Sequence, residues 1–193
     1  MNIGIAKAID EDIPDIQEIL SHGMRSKMYR GDLAWGEAAT DEKQLQAIVA
    51  GGNMYVARSE ENIIGVFMLF WDDPIRWGAQ PPDAGYLHRF VVGPGLRGKN
   101  VGSQIIELIC AEVAKNGRQY LRLTCPSDNA QLKAYHQKNG FARADHKARP
   151  AHLSEPTAYF ERTASSTTTS NEKTKKLSPL AKLRPFRFGQ NSK

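Results

Sequence analysis

The chain has 193 residues, of which 40% are hydrophobic and 24% charged, enough apolar material for one globular domain with a real core. Its net charge of +5 is unevenly placed. From Thr163 to Lys193 there are seven basic residues against the single acid Glu172, so residues 1–162 hold 19 basic and 20 acidic residues, a net charge of −1. The domain is near neutral, and the basic balance of the whole chain does not describe its working surface.

Two cysteines, Cys110 and Cys125, are too few for a disulfide scaffold and lack metal-ligand spacing. No metal is expected. The longest apolar run, Ile63–Trp71, is about half of the ~20 residues that a membrane helix needs. The start carries acids where a secretory leader would carry bases. A cytoplasmic setting and no transmembrane segment are the expectations.

Asn2–Ala8 alternates and reads as a strand. Asp10 is placed to cap a helix with Ile13, Ile16, Ile19 and Leu20 on its apolar stripe and Pro14 in its first turn. His22–Ala39 reads as irregular. Thr40 or Asp41 caps a second helix burying Leu45, Ile48 and Val49, and Gly51-Gly52 stops it. Met54–Arg58 and Ile63–Trp71 read as a hairpin of two strands. Asp72–Gly85, with three prolines, reads as a loop. Tyr86–Val92 is the next strand. A glycine-rich turn, Gly93–Asn100, leads into a helix from Val101 to Lys115, in which Val101, Ile105, Ile109 and Val113 recur every four positions. Tyr120–Thr124 is a strand and Asp128–Lys138 a helix. Phe141–His146 and Thr157–Arg162 are placed to close the sheet as a hairpin. Ala164–Ser170 is almost all Ser and Thr, so the domain is placed at 1–162 and a basic, low-complexity, disordered tail at 163–193.

The turn Arg97-Gly98-Lys99-Asn100-Val101-Gly102-Ser103 carries the most information. Backbone N–H groups at a helix start, with glycines to admit a ligand and Arg97 and Lys99 for charge, make an anion site suited to a pyrophosphate. Gly93, Gly98 and Lys99 match the spacing of a P-loop. That reading fails at Asn100, where Ser or Thr should meet magnesium.

The same turn resembles the Q/R-x-x-G-x-G/A signature of the GNAT superfamily of acetyl-CoA-dependent N-acetyltransferases, running from Arg97 to Gly102. It departs at Asn100, which replaces the middle glycine. Asn is the residue that best tolerates a left-handed backbone after Gly. The resemblance covers nearly all of residues 1–162. Asp10-Ile13-Ile16-Leu20 looks like the family's first unit and Tyr86–Val92 like its central strand. Leu121-Arg122-Leu123, Asn129, Leu132, Tyr135 and Gly140-Phe141 look like its later strand and helix with a closing Y-x-x-x-G-F signature.

The resemblance implies an α+β, three-layer α/β/α fold: a mixed, mostly antiparallel central sheet, splayed at its middle, with flanking helices. It implies acetyl-CoA as acyl donor and direct attack of an amine on the thioester. Arg97, Gly98, Lys99, Asn100, Val101, Gly102 and Ser103 would hold the pyrophosphate. Backbone groups of Phe90, Val91 and Val92 would pair with the pantetheine arm, and Asn129 would bind the arm from the other side. Tyr135 is the expected acid for the leaving thiolate. The rival reading is a phenol packed under the sheet with Leu132.

The general base is open. His88 has a suitable pKa class. Strict alternation puts His88, Phe90 and Val92 on one face unless a bulge resets the parity. Asp72, Asp73 and Glu37 sit in loops beside the acceptor side, where a carboxylate is most often merely solvated. Trp35, Trp71, Trp77 and Tyr29 are candidate walls for a flat or partly apolar amine, or else braces for the loops.

A small-molecule primary amine is the first choice of acceptor. A protein N-terminus or lysine is the second, and a non-catalytic acyl-CoA-binding module on the same fold is the alternative from another class. No nucleic-acid partner is indicated, and a homodimer is open. Cys125 and Cys110 read as core residues.

Overall fold

A computed structural model describes residues 1–28, 40–145 and 156–165. Tyr29, Trp35 and Glu37 lie outside them, as does the expected tail beyond residue 165.

Seven strands form one sheet: β1 (Gly4–Lys7), β2 (Met54–Ser59), β3 (Asn62–Phe70), β4 (Ala84–Val92), β5 (Tyr120–Pro126), β6 (Ala142–Arg143) and β7 (Thr157–Thr163). Their order is β1-β2-β3-β4-β5-β7-β6. Every neighbouring pair is antiparallel except β4 and β5, which run parallel. This is the mixed α+β sheet expected.

Helices cover both faces. α1 (Ile13–Met28) and α2 (Glu42–Ala50) bury Ile16, Leu20 and Leu45 against Met54, Val56, Val66 and Val91. On the opposite face α4 (Val101–Lys115) buries Val101, Ile105, Ile106, Ile109, Cys110 and Val113 against Phe67, Leu69, Leu87 and Leu121. The four-residue recurrence in α4 keeps that stripe on the sheet along its whole length. α5 (Ala130–Lys138) packs beside it through Leu132 and Tyr135.

Three local expectations change. Asp10 does not cap α1; it belongs to a short 3-10 turn, Asp10–Asp12. The carboxylate of Asp12 accepts from Ile9 N at 3.2 Å and pairs with Arg58. A carboxylate two residues later serves the entry because that extra turn precedes the helix. α1 also continues to Met28, where Met24 and Met28 extend the four-residue spacing of Leu20 through an otherwise polar stretch. The proline-rich loop contains a one-turn helix, α3 (Pro74–Trp77), with Pro74 at its start, where the missing N–H costs nothing. At the second helix, Asp41 is the cap and accepts from Gln44 N at 2.9 Å.

The centre of the sheet opens. β4 and β5 pair from Ala84–Tyr120 to Leu87–Leu123 and no further. β4 continues to Val92, still bonded to β3, and β5 to Pro126, still bonded to β7. Beyond Leu87 the two strands part, and the edge of β4 facing β5 carries no ladder partner among the described residues. The sheet is splayed at its middle.

Candidate active site

The opening is shaped by a bulge. Between the pairs Met68–His88 and Val66–Val91, β3 supplies one residue, Phe67, and β4 supplies two, Arg89 and Phe90. Arg89 takes a left-handed backbone, φ 46°, which lets the strand absorb the extra residue. The bulge resets the alternation. Leu87, Phe90 and Val92 face α4, while Val91 faces α1. His88 and Phe90 are therefore on opposite faces, not on one as strict alternation would place them.

On the α1 side, His88 Nε2 stands 3.0 Å from Asp73 Oδ2, which has no other hydrogen-bond partner among the described residues. The imidazole packs edge-on against Phe70, with ring centroids 5.4 Å apart. Asp73 is not a solvated loop carboxylate. It is 8% exposed and caps α3 by accepting from Arg76 N at 3.1 Å. Burial works to raise its pKa, but the hydrogen bond and charge of His88, then Arg76, outweigh it and hold the carboxyl below its usual range. Asp72 is exposed and has no such role.

Arg76 and Arg89 complete this cluster. Arg89 Nη1 is buried without a hydrogen-bond partner among the described residues. Burial, then the nearby charge of Arg76, lowers its pKa. Sequence reasoning passed over both arginines. The available signal was a charged residue beside His88 in an otherwise apolar strand.

Trp77 is buried against Tyr86 and Tyr159, with the Arg122 guanidinium over its ring. Trp71 packs on the α4 face of the core. These two tryptophans brace the sheet. Cys125 and Cys110 are buried core residues, and burial pushes the Cys110 thiol up to about 11.

On the other face, the glycine-rich turn brings Arg97–Ser103 to the mouth of the opening. Asn100 adopts φ 62°, the left-handed conformation expected of it. α2, α3 and α5 start with side-chain caps from Asp41, Asp73 and Asn129. α4 has none, so no capping side chain serves its first N–H groups, Val101, Gly102 and Ser103. Gly98 has φ +77°, and a Cβ there would meet open space. Lys99 and Asn100 are exposed, while the Lys99 N–H is spent on Leu96 O at 3.3 Å. Arg97 donates to Ser26 on α1.

Tyr135 reaches this point from α5. Its hydroxyl is hydrogen-bonded to the Ser103 side chain, and burial raises its pKa despite that bond. It lies so close over Gly102 that a Cβ there would overlap it, and the Val92 side chain is adjacent. Asn129 caps α5, accepting from Leu132 N at 2.9 Å.

The spacing at the end of α5 differs from the expected signature. Four residues separate Tyr135 from Gly140, so His136 stands in the signature's tyrosine position. Neighbouring residues on a helix point about 100° apart. His136 turns into the core, 7% exposed, between Phe141 and Phe160, while Tyr135 turns toward the start of α4.

A family model described as the acetyltransferase (GNAT) family matches residues 15–141. The chain belongs to the GNAT acetyltransferase family. No curated protein matches it in sequence. Solved structures share the fold of this GNAT chain at low identity. A GNAT-family acetyltransferase from Listeria monocytogenes superposes with a TM-score of 0.69 at 18% identity, over 83% of this chain and 94% of that one. The PaiA N-acetyltransferase of Thermoplasma acidophilum, solved with coenzyme A, gives 0.64 at 17%, over 84% and 99%. The ribosomal-protein-S18-alanine N-acetyltransferase of Escherichia coli gives 0.57 at 16%, over 85% and 95%. Among the described residues no helix is long and apolar enough to cross a membrane, and no cluster of His, Cys, Asp or Glu could hold a metal.

Proposed function

We propose that this acetyltransferase moves the acetyl group of acetyl-CoA to the primary amine of a small molecule, with both substrates bound together. The observation that carries the reading is the parting of β4 from β5 beyond Leu87, with the uncapped start of α4 at its mouth. The unpaired edge of Phe90, Val91 and Val92 suits an amide-bearing arm as an added strand. The free N–H groups of Val101, Gly102 and Ser103 and the open backbone at Gly98 and Asn100 suit a pyrophosphate. Arg97 and Lys99 add charge there, and the side-chain amide of Asn129 is left to donate because its carbonyl is spent on the cap. Acetyl-CoA would supply the activated thioester.

The chain supplies the rest. With Asp73 Oδ2 3.0 Å from His88 Nε2, the proton is kept on Nε2 and Nδ1 is left as the base. A neutral amine is thereby produced on the α1 side of the sheet. A backbone N–H among Phe90, Val91 and Val92 would face the thioester oxygen as charge develops on it. Tyr135, kept protonated by its raised pKa, donates to the leaving thiolate from the α4 side. The near-neutral charge of residues 1–162 supports a small acceptor over a polyanion. Calorimetric titration with acetyl-CoA, followed by CoA release across an amine library, tests the reading. Micromolar binding and release with at least one amine are expected; no binding of acetyl-CoA refutes it.

A further inference from the structure

The acceptor cluster carries one charge more than it can balance. Asp73 is matched by the positive charge of Arg76, and His88 approaches the same carboxylate. No carboxylate lies within ion-pair distance of Arg89 among the described residues, and its Nη1 is buried without a hydrogen bond. A buried donor without a partner is costly even on a half-buried side chain. The backbone adds a second cost, since Arg89 holds φ 46°, where Gly or Asn would be less strained. A bulge needs only a residue that tolerates this conformation. It does not need an arginine.

The unpaired donor is satisfied if the guanidinium receives an anion during turnover, and the strained backbone is tolerated for the sake of that side chain. We propose that the acceptor carries a carboxylate close to its amine, an amino acid or an acid of similar size, with the carboxylate on Arg89 and Arg76 and the amine at His88. This rests on the acetyltransferase reading above and names its substrate class. The geometry is compact. His88 and Arg89 are consecutive, so amine and carboxylate sites are separated by the span of neighbouring side chains. Arg76 comes from α3, whose cap is Asp73, so one turn of helix holds the base's partner and the second cation in register. Arginine suits this task because its planar fork meets a carboxylate in two parallel hydrogen bonds.

The test uses the full chain saturated with CoA. It is titrated by calorimetry with the common amino acids, β-alanine and γ-aminobutyrate, each beside its carboxamide. At least one acid is expected to bind about tenfold or more tighter than its amide. Arg89→Gln should collapse that ratio toward one, Arg76→Gln should reduce it, and Arg89→Lys should keep part of it. Acids and amides binding equally to the native chain would overturn the proposal, as would an acid preference that survives Arg89→Gln or no binding by any acid. The native comparison requires no variant to fold. Failure of the chain to bind CoA in the preceding step would refute the enzyme reading instead, so the two failures are distinct.

Discussion

His136 ties stability to pH in a way that can be worked through. Its ring is 7% exposed, enclosed by Tyr135, Phe141 and Phe160, and its Nδ1 has no hydrogen-bond partner among the described residues. Burial lowers its pKa from 6.5 to about 4. The unfolded chain therefore binds a proton between those values that the folded chain refuses. Folding is favoured by the neutral ring, so the contribution is complete above pH 6.5 and is lost as pH falls toward 4. The gap corresponds to about 3 kcal/mol at roughly 1.36 kcal/mol per unit. Urea denaturation from pH 8 to pH 4 should show a stability slope approaching ~1.4 kcal/mol per pH unit near pH 5 above the background of the carboxylates. His136→Phe keeps an aromatic ring in an aromatic site and cannot titrate. It should lack that component of the slope. Equal slopes in the two proteins would show that His136 is protonated in the folded state and would refute the reasoning.

Tyr135→Phe should cut turnover by roughly 10²–10⁴-fold while acetyl-CoA affinity by calorimetry stays similar; unchanged turnover would remove Tyr135 from the chemistry. Gly102→Ala should cost about 1–3 kcal/mol in urea denaturation, because its Cβ would overlap the Tyr135 hydroxyl. The double variant with Tyr135→Phe should recover much of that loss, and strict additivity would place the clash elsewhere. Arg122 is 6% exposed and paired with Glu161 at 2.6 Å and Asp83 at 2.9 Å. Arg122→Ala strands both acids and should cost about 3–5 kcal/mol; a cost below about 1 kcal/mol would mean that water replaces the guanidinium fully.

The parts legible in the sequence were those written in a single periodic stretch. α4 was readable because Val101, Ile105, Ile109 and Val113 keep one stripe over four turns, and all four are buried. The turn before it was readable because Gly98 and Asn100 each signal a left-handed backbone and Gly102 a close approach. What was not legible depends on pairing between distant segments. The bulge at Arg89 exists because β3 offers one residue against two, and neither strand alone shows it. The Asp73–His88 contact joins residues far apart in sequence, through the turn that α3 makes. In α5 the helix is mostly polar, so its sequence did not fix which of Tyr135 and His136 faces inward. The spacing to Gly140 and the packing of Phe141 and Phe160 decide that. The end of α1 carries only Met24 and Met28 in register with Leu20, among Ser21, His22, Gly23, Arg25, Ser26 and Lys27, too sparse a stripe to mark its extension to Met28.

The bulge and the splay act as one device. A regular β4 would put His88 and Phe90 on the same face. With Arg89 left-handed, His88 is turned to the α1 face with Asp73, while Phe90 and Val92 line the α4 face with Tyr135. The proposed base and the proposed acid would then be held on opposite sides of one strand, with the gap beyond Leu87 between them. Acyl transfer to an amine needs that separation, because the amine loses its proton on one side of the thioester carbon as the thiolate gains one on the other. On the proposed reading, Arg76 and Arg89 beside His88 would give the acceptor end a carboxylate site of its own, apart from the pyrophosphate site at Arg97 and Lys99. On the proposed reading, the two substrates would approach from opposite faces of the sheet and would not compete for one place.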